Sequence, residues 1–161
     1  MTTLTGCGYH VSGKGDLLPK TLHTVAIPAF GNITVRYKLS DRLPQAIAQE
    51  FIARTRYQVI PDAGQADAIL NGTVLNFVAY PILLDQATGR TTALQVSVRM
   101  GVTLTERATG KVLYSNPSFE MKERYEVSVD PEKYFEESDT GLNRLCKETA
   151  RQLVSAILEN F

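Results

Sequence analysis

Few residues in this chain of 161 could perform catalysis or bind a metal ion. The best metal ligands are two cysteines, Cys7 and Cys146, and two histidines, His10 and His23, and no histidine-containing pair has metal-ligand spacing. The sequence also lacks the G-x-S-x-G pattern that positions a nucleophilic serine in many hydrolases. We therefore predict that the protein is not an enzyme and that it uses no metal and no cofactor.

Cys7 is the residue for which the sequence suggests a covalent chemistry. It ends the tetrapeptide Leu4-Thr5-Gly6-Cys7, and bacterial lipoprotein signals end in the same order of an aliphatic residue, two small residues and a cysteine. The small residues let a peptidase cleft admit the backbone beside the bond that is cut, and the cysteine receives diacylglycerol. Such a motif needs a charged and apolar segment upstream, expected in a longer form of the chain; the alternative is a chance tetrapeptide. We predict lipidation at Cys7.

The segment around and after Cys7 differs in composition from the rest of the chain. Four glycines fall between residues 6 and 15, and no helical or strand period is present there. A folded domain held at a membrane needs such slack. We predict that residues 1–22 are a lipobox remnant and flexible tether, and that residues 23–161 form a single domain.

The overall charge and hydropathy exclude two classes of protein. Seventeen Lys and Arg residues balance seventeen Asp and Glu residues, which removes the main electrostatic argument for binding nucleic acid. No run of 18 apolar residues occurs, so the sequence predicts no helix that spans a bilayer. A membrane attachment would therefore depend on the lipid at Cys7.

Hydrophobic periodicity predicts the elements that must position any functional residue. In chain order they are a short strand at 23–28, a helix at 39–54, an extended piece at 57–60, long strands at 68–80, 94–105 and 119–129, and a helix at 134–159. Glycine-containing turns join the long strands, and Pro44 suits the first helix only if it lies in the first turn. The order β-α-β-β-β-α predicts an α+β fold, a two-layer sandwich with two helices on one face of a mixed, mostly antiparallel sheet.

Each long strand is predicted to have one apolar face and one polar face. In the first of them Leu70, Val74, Val78 and Tyr80 share one parity, which places them together on the apolar face. The middle strand alternates from Leu94 to Thr105 without interruption, and this is the strongest structural signal in the chain.

Three basic residues lie on the predicted polar face. Arg99 in the middle strand and Lys122 and Arg124 in the last strand stand among neutral and acidic side chains. Most such faces are only solvated, and that is one interpretation. The other is a surface suited to a wet enclosure or to an anionic headgroup, because Arg and Lys bind phosphate.

Several segments together give the chain a resemblance to a known family, the lipopolysaccharide-assembly lipoprotein LptE. The segments are Cys7 to His10, Val25 to Pro28 with Phe30 and Asn32 after it, Glu50-Phe51, Asp67 to Gly72, Asp85 to Arg90, Leu113 to Pro117 and Glu159 to Phe161. No single motif decides the match, which rests on their order and spacing over nearly the whole chain. The fold of the family equals the one predicted from the periodicity.

The resemblance implies an outer-membrane lipoprotein that faces the periplasm and is anchored by lipid at Cys7. Family members sit inside the β-barrel LptD, help it to assemble and plug its lumen while lipopolysaccharide passes to the outer leaflet; lipopolysaccharide binding is also implied. Gly8, rather than aspartate, follows the cysteine, which fits outer-membrane sorting.

The lipopolysaccharide-contacting residues cannot be transferred by motif, so strand geometry places them at Arg90, Arg99, Lys122 and Arg124. The partners expected are thus an LptD-type barrel, lipopolysaccharide and, through the anchor, the membrane. Two alternatives remain: a periplasmic lipoprotein adaptor of another lipid transporter, and a soluble enzyme.

Overall fold

The computed structural model describes residues 19–126 and 131–160. Within them the elements are β1 (Thr24–Ala26), β2 (Gly31–Asn32), α1 (Leu39–Arg54), β3 (Gln58–Ile60), β4 (Ala68–Leu84), β5 (Thr91–Glu106), β6 (Val112–Glu126) and α2 (Pro131–Glu159). The predicted helices and long strands are all present. The strands β4, β5 and β6 all extend beyond their predicted bounds, and the predicted strand positions Val127 and Val129 lie outside the described residues.

All six strands belong to one mixed sheet with the order β3-β1-β4-β5-β6, and β2 also pairs with β4. The pairs β1–β3, β1–β4 and β2–β4 are parallel, whereas the long pairs β4–β5 and β5–β6 are antiparallel. The two hairpin turns contain Gly89 and Gly110 at φ of 67° and 71°, a left-handed conformation that favours glycine. The predicted α+β fold with two helices and a mostly antiparallel sheet is confirmed.

The core lies between the two helices and one face of the sheet. In β5 the even-numbered residues from Val96 to Leu104 are buried, and the alternation expected from the sequence is present. Helix α1 contributes a stripe at four-residue spacing and α2 contributes a second stripe that packs into the same core. The buried residues of these two stripes are Leu39, Leu43, Ile47, Phe51, Leu145, Thr149, Leu153 and Ile157.

Pro44 lies deeper in α1 than its chemistry suggests, at the sixth residue of the helix. A proline has no backbone N–H, so the carbonyl of Ser40 cannot receive the usual helical hydrogen bond. The backbone N–H of Phe30 donates to that carbonyl instead, at 3.0 Å. The prediction that Pro44 requires the first turn is therefore wrong, because the loop before the helix supplies the missing donor.

A β-bulge in β4 changes which residues face the core. The pairing with β5 shifts between Val74 and Asn76, so that Phe77 stands opposite Val98 on the core side. Val78 and Tyr80 then point away from the core and remain 40% and 43% exposed. The prediction that they share the apolar face with Val74 is wrong, since one extra residue inverts the alternation.

Asp67 connects β1 to the start of β4. Its Oδ2 accepts hydrogen bonds from the backbone N–H groups of His23 and Thr24, at 2.8 and 2.9 Å, and from the Thr24 hydroxyl. These bonds, the backbone ones first, hold the pKa of the Asp67 carboxyl below its ordinary value of 3.8. The carboxylate thus satisfies two backbone donors at the start of β1.

Changing Asp67→Asn should lower the free energy of unfolding by about 1 kcal/mol at neutral pH, because a charge-assisted acceptor becomes a neutral one in a partly exposed site. The folded-state pKa is depressed, so the contribution of Asp67 is complete above the ordinary pKa and is lost as the pH falls through the folded value. Urea unfolding of both proteins over an acidic pH series should show the gap closing. A gap that stays constant with pH would contradict this role.

Candidate functional site

The polar face of the sheet carries three of the four predicted cations in adjoining rows. Strand pairing aligns Ser97 with Lys122, Gln95 with Arg124, and Arg99 with Glu120. All three basic residues are exposed, and neighbouring strands are about 4.8 Å apart while alternate residues along one strand are about 7 Å apart. Arg99, Lys122 and Arg124 therefore form one surface, which we call the basic face.

Glu120 lies inside the basic face and compensates part of its charge. Its carboxylate accepts a hydrogen bond from the Ser97 hydroxyl at 2.9 Å and lies 3.5 Å from Lys122 Nζ. The Ser97 hydrogen bond, then the charges of Lys122 and Arg99, lower the pKa of the Glu120 carboxyl. Arg124 stands instead across from the neutral Gln95. The face is thus unevenly basic, and Arg124 lies beyond the direct influence of this carboxylate.

Arg90 is separate from the basic face. It lies in the turn between β4 and β5, which is closed by hydrogen bonds from Asp85 N to Arg90 O and from Gly89 N to Asp85 O, both 2.8 Å. The other hairpin turn lies at the opposite end of the sheet, where Arg107 N donates to Asp67 O. The structure therefore brings Arg99, Lys122 and Arg124 together. It places Arg90 in the distal turn, at the end of the sheet opposite the turn between β5 and β6.

Arg144 of α2 is a cation that sequence reasoning missed. Its guanidinium donates to the backbone carbonyl of Arg124 at 3.3 Å and lies 4.8 Å from the centre of the Tyr125 ring. Because Tyr125 belongs to the core, this cation lies beside β6 on the helix side of the sheet rather than on the basic face. A helical period reveals which residues face the core, but not which strand edge an exposed arginine will reach.

Exposed apolar side chains are the second feature that the sequence did not reveal. Residues 33–38, the loop between β2 and α1, present Ile33, Val35 and Tyr37 with 74%, 91% and 75% of their surface exposed. More apolar surface lies on residues 75–84 of β4, which among the described residues pair only with β5. The hydrophobic pattern predicts such residues to be buried, because apolar side chains give the same pattern whether or not another element covers them.

The remaining predictions concern residues and sites away from the basic face. Cys7 and His10 lie outside the described residues. Among residues 19–126 and 131–160, no group of three or more His, Cys, Asp or Glu side chains is arranged to hold a metal ion. Within the same residues, neither helix combines the length and apolar character required to cross a membrane.

Cys146 is buried in the core, next to the stripe of α2. Burial raises the pKa of its thiol to about 11, so the reactive thiolate is scarce at neutral pH. We expect native protein to react slowly with a maleimide at this position and unfolded protein to react rapidly, as measured by mass spectrometry on a Cys7→Ala background. Fast labelling of the native protein would show that α2 opens or packs differently.

The arrangement of two helices on a mixed sheet defines a class of small α+β domain that occurs in bacterial lipoproteins. A rare lipoprotein B from Shewanella oneidensis has a TM-score of 0.57 at 9% identity, over 85% of this chain and 95% of that chain. A lipoprotein B from Nitrosomonas europaea has a TM-score of 0.55 at 17% identity, over 95% and 96%. The PelC dodecamer from Paraburkholderia phytofirmans shares the fold as well, with a TM-score of 0.55 at 17% identity, over 82% and 86%.

These likenesses concern the fold alone, and no curated protein matches the chain in sequence. The family model described as "LptE: Lipopolysaccharide-assembly" matches residues 22–157. The chain therefore belongs to the LptE family of lipopolysaccharide-assembly proteins. The resemblance drawn from the order and spacing of short segments is confirmed.

Proposed function

We propose that this protein is a lipid-anchored lipoprotein on the periplasmic side of the outer membrane, which assists assembly of an LptD-type β-barrel and plugs its lumen. The match of the family model to residues 22–157 carries the proposal. A plug within a water-filled barrel needs a polar outward surface on a rigid support. The basic face on β5 and β6 fits that need, with the helices and the core on the other side of the sheet.

The same face is proposed to bind lipopolysaccharide. Lys122 and Arg124 occupy successive outward positions of β6, and Arg99 lies one strand away. Such a spacing lets more than one cation meet the phosphate groups of one anionic headgroup. Arg90 at the distal turn would meet the lipid further along the lumen.

Copurification tests the barrel partnership. The lipoprotein, tagged at its C-terminus and extracted from outer membranes in mild detergent, should bring down a large β-barrel that mass spectrometry identifies as LptD-like. A variant with an unfolded domain serves as the control for adhesion of the tag. Recovery of a different lipid transporter without the barrel would favour the adaptor alternative.

Cys7 is proposed as the acylated residue, with residues 1–22 as the tether. Expressed with a complete signal segment, the protein should incorporate a fatty-acid probe and fractionate with membranes, because several acyl chains anchor far more firmly than one. The matched control is Cys7→Ala, which leaves the domain intact. Equal labelling and fractionation of the two proteins would refute the assignment.

A further inference from the structure

The loop at 33–38 carries three highly exposed apolar side chains within five residues. Ile33, Val35 and Tyr37 alternate with Thr34, Arg36 and Lys38, and each of the three apolar side chains is at least 74% exposed. Large apolar side chains scattered singly on a surface are ordinary, whereas three in one loop indicate a contact with something apolar.

The conformation of this loop is fixed by the side chain of Asn32. Its Oδ1 accepts from the backbone N–H and the hydroxyl of Thr34, at 2.8 and 2.7 Å, and its Nδ2 donates to Arg36 O at 2.9 Å. The loop is joined to the sheet at one end by Ile33 N donating to Val74 O, and to α1 at the other by Leu39 N donating to Arg36 O. These hydrogen bonds therefore hold the loop in a conformation that exposes its apolar side chains.

The two charged residues of the loop are both basic. Between Asp16 and Asp41 the sequence has no acidic residue, and the loop itself contains Arg36 and Lys38. The Arg36 guanidinium lies 5.2 Å from the centre of the Phe77 ring, which keeps this cation at the base of the loop. Apolar and aromatic side chains with cations beside them match the interface of a bilayer that contains anionic lipid.

We propose that the 33–38 loop inserts into the headgroup region of an anionic membrane and gives the domain a second attachment beside the lipid anchor. Val35 and Ile33 enter the apolar boundary, Tyr37 occupies the interface, and Arg36 and Lys38 face the lipid phosphates. This contact is independent of the barrel and of lipopolysaccharide, so it goes beyond the proposed function.

The absence of tryptophan from the chain allows a direct test. The substitution Tyr37→Trp in a Cys7→Ala background gives the full unacylated chain one indole fluorophore, placed in the loop. Vesicles that mix phosphatidylethanolamine with a minority of phosphatidylglycerol should shift its emission to the blue and protect it from an aqueous quencher. Binding to pure phosphatidylcholine vesicles should be roughly 30-fold weaker, since each of two basic residues contributes about 1 kcal/mol at an anionic surface.

A matched control places the fluorophore elsewhere. The Ile52→Trp protein, changed at an α1 residue that is 60% exposed, should keep its emission unchanged on the same vesicles. Adding Ile33→Ser and Val35→Ser to the Tyr37→Trp protein should abolish the shift, with the fold checked by circular dichroism.

Three results would overturn the proposal. The first is an unshifted emission of the Tyr37→Trp protein on anionic vesicles, and the second is an equal shift of the Ile52→Trp protein. The third is a shift of the Tyr37→Trp emission that the purified barrel causes and vesicles do not, which would assign the loop to a protein partner.

Discussion

Replacing Val98 with aspartate should destabilise the domain by several kcal/mol and leave little folded protein at physiological temperature. Val98 is fully buried in the centre of β5, between Phe77 of β4 and Met121 of β6. A carboxylate at that position would lose its hydration without gaining a partner. The measurement is the midpoint of thermal unfolding, followed by circular dichroism.

Thr103→Asp is the matched control for this change. Thr103 lies further along the same strand but on the polar face, where Asn71 and Ser115 are its cross-strand neighbours. Its substitution should alter stability by less than about 1 kcal/mol, since the new charge stays hydrated. If Val98→Asp melts like the parent while Thr103→Asp does not, the two faces of β5 have been assigned the wrong way round.

The central sheet could be predicted from the sequence because β5 is covered on one face only. Apolar residues at an unbroken period of two leave a single way to orient that strand, and the glycine turns then set the antiparallel partners. In β4 the alternation does not predict which residues face the core after Val74. A bulge adds one residue there, and the amino-acid composition does not reveal it. Strand β2 spans only two residues, Gly31–Asn32, which is too short for any period to show.

The basic face was partly predictable for the same reason. The parity of β5 and β6 places Arg99, Lys122 and Arg124 outward once the strands pair. The role of Glu120 could not be predicted, since it depends on which outward residues stand opposite each other, and that register shifts between Met100 and Val102. The 33–38 loop was missed because its exposure results from Asn32 hydrogen bonds that no hydrophobic pattern encodes.

Neutralising the cations of the basic face should weaken lipopolysaccharide binding in a graded way. Arg124→Gln and Lys122→Gln together should reduce affinity roughly tenfold, because each exposed cation contributes about 0.5–1 kcal/mol to a phosphate contact. Changing Arg90, Arg99, Lys122 and Arg124 all to Gln should reduce it further and make the residual binding less sensitive to salt. The measurement is binding of lipopolysaccharide by the unacylated chain at two ionic strengths, after its fold has been verified.

The substitution Glu120→Gln should change lipopolysaccharide affinity in the opposite direction. It also distinguishes a local effect at the basic face from a general effect of surface charge. The carboxylate lies 3.5 Å from Lys122 Nζ, so it competes with a lipid phosphate for that cation. Its removal should strengthen binding by a few fold, whereas Glu148→Gln on α2, where the carboxylate pairs with Arg151, changes the net charge equally and should have a smaller effect. An equal gain in lipopolysaccharide affinity from both substitutions would show that only the net charge of the protein matters. Undiminished affinity in the fourfold variant would refute the site, and the basic face would then serve a purely structural plug.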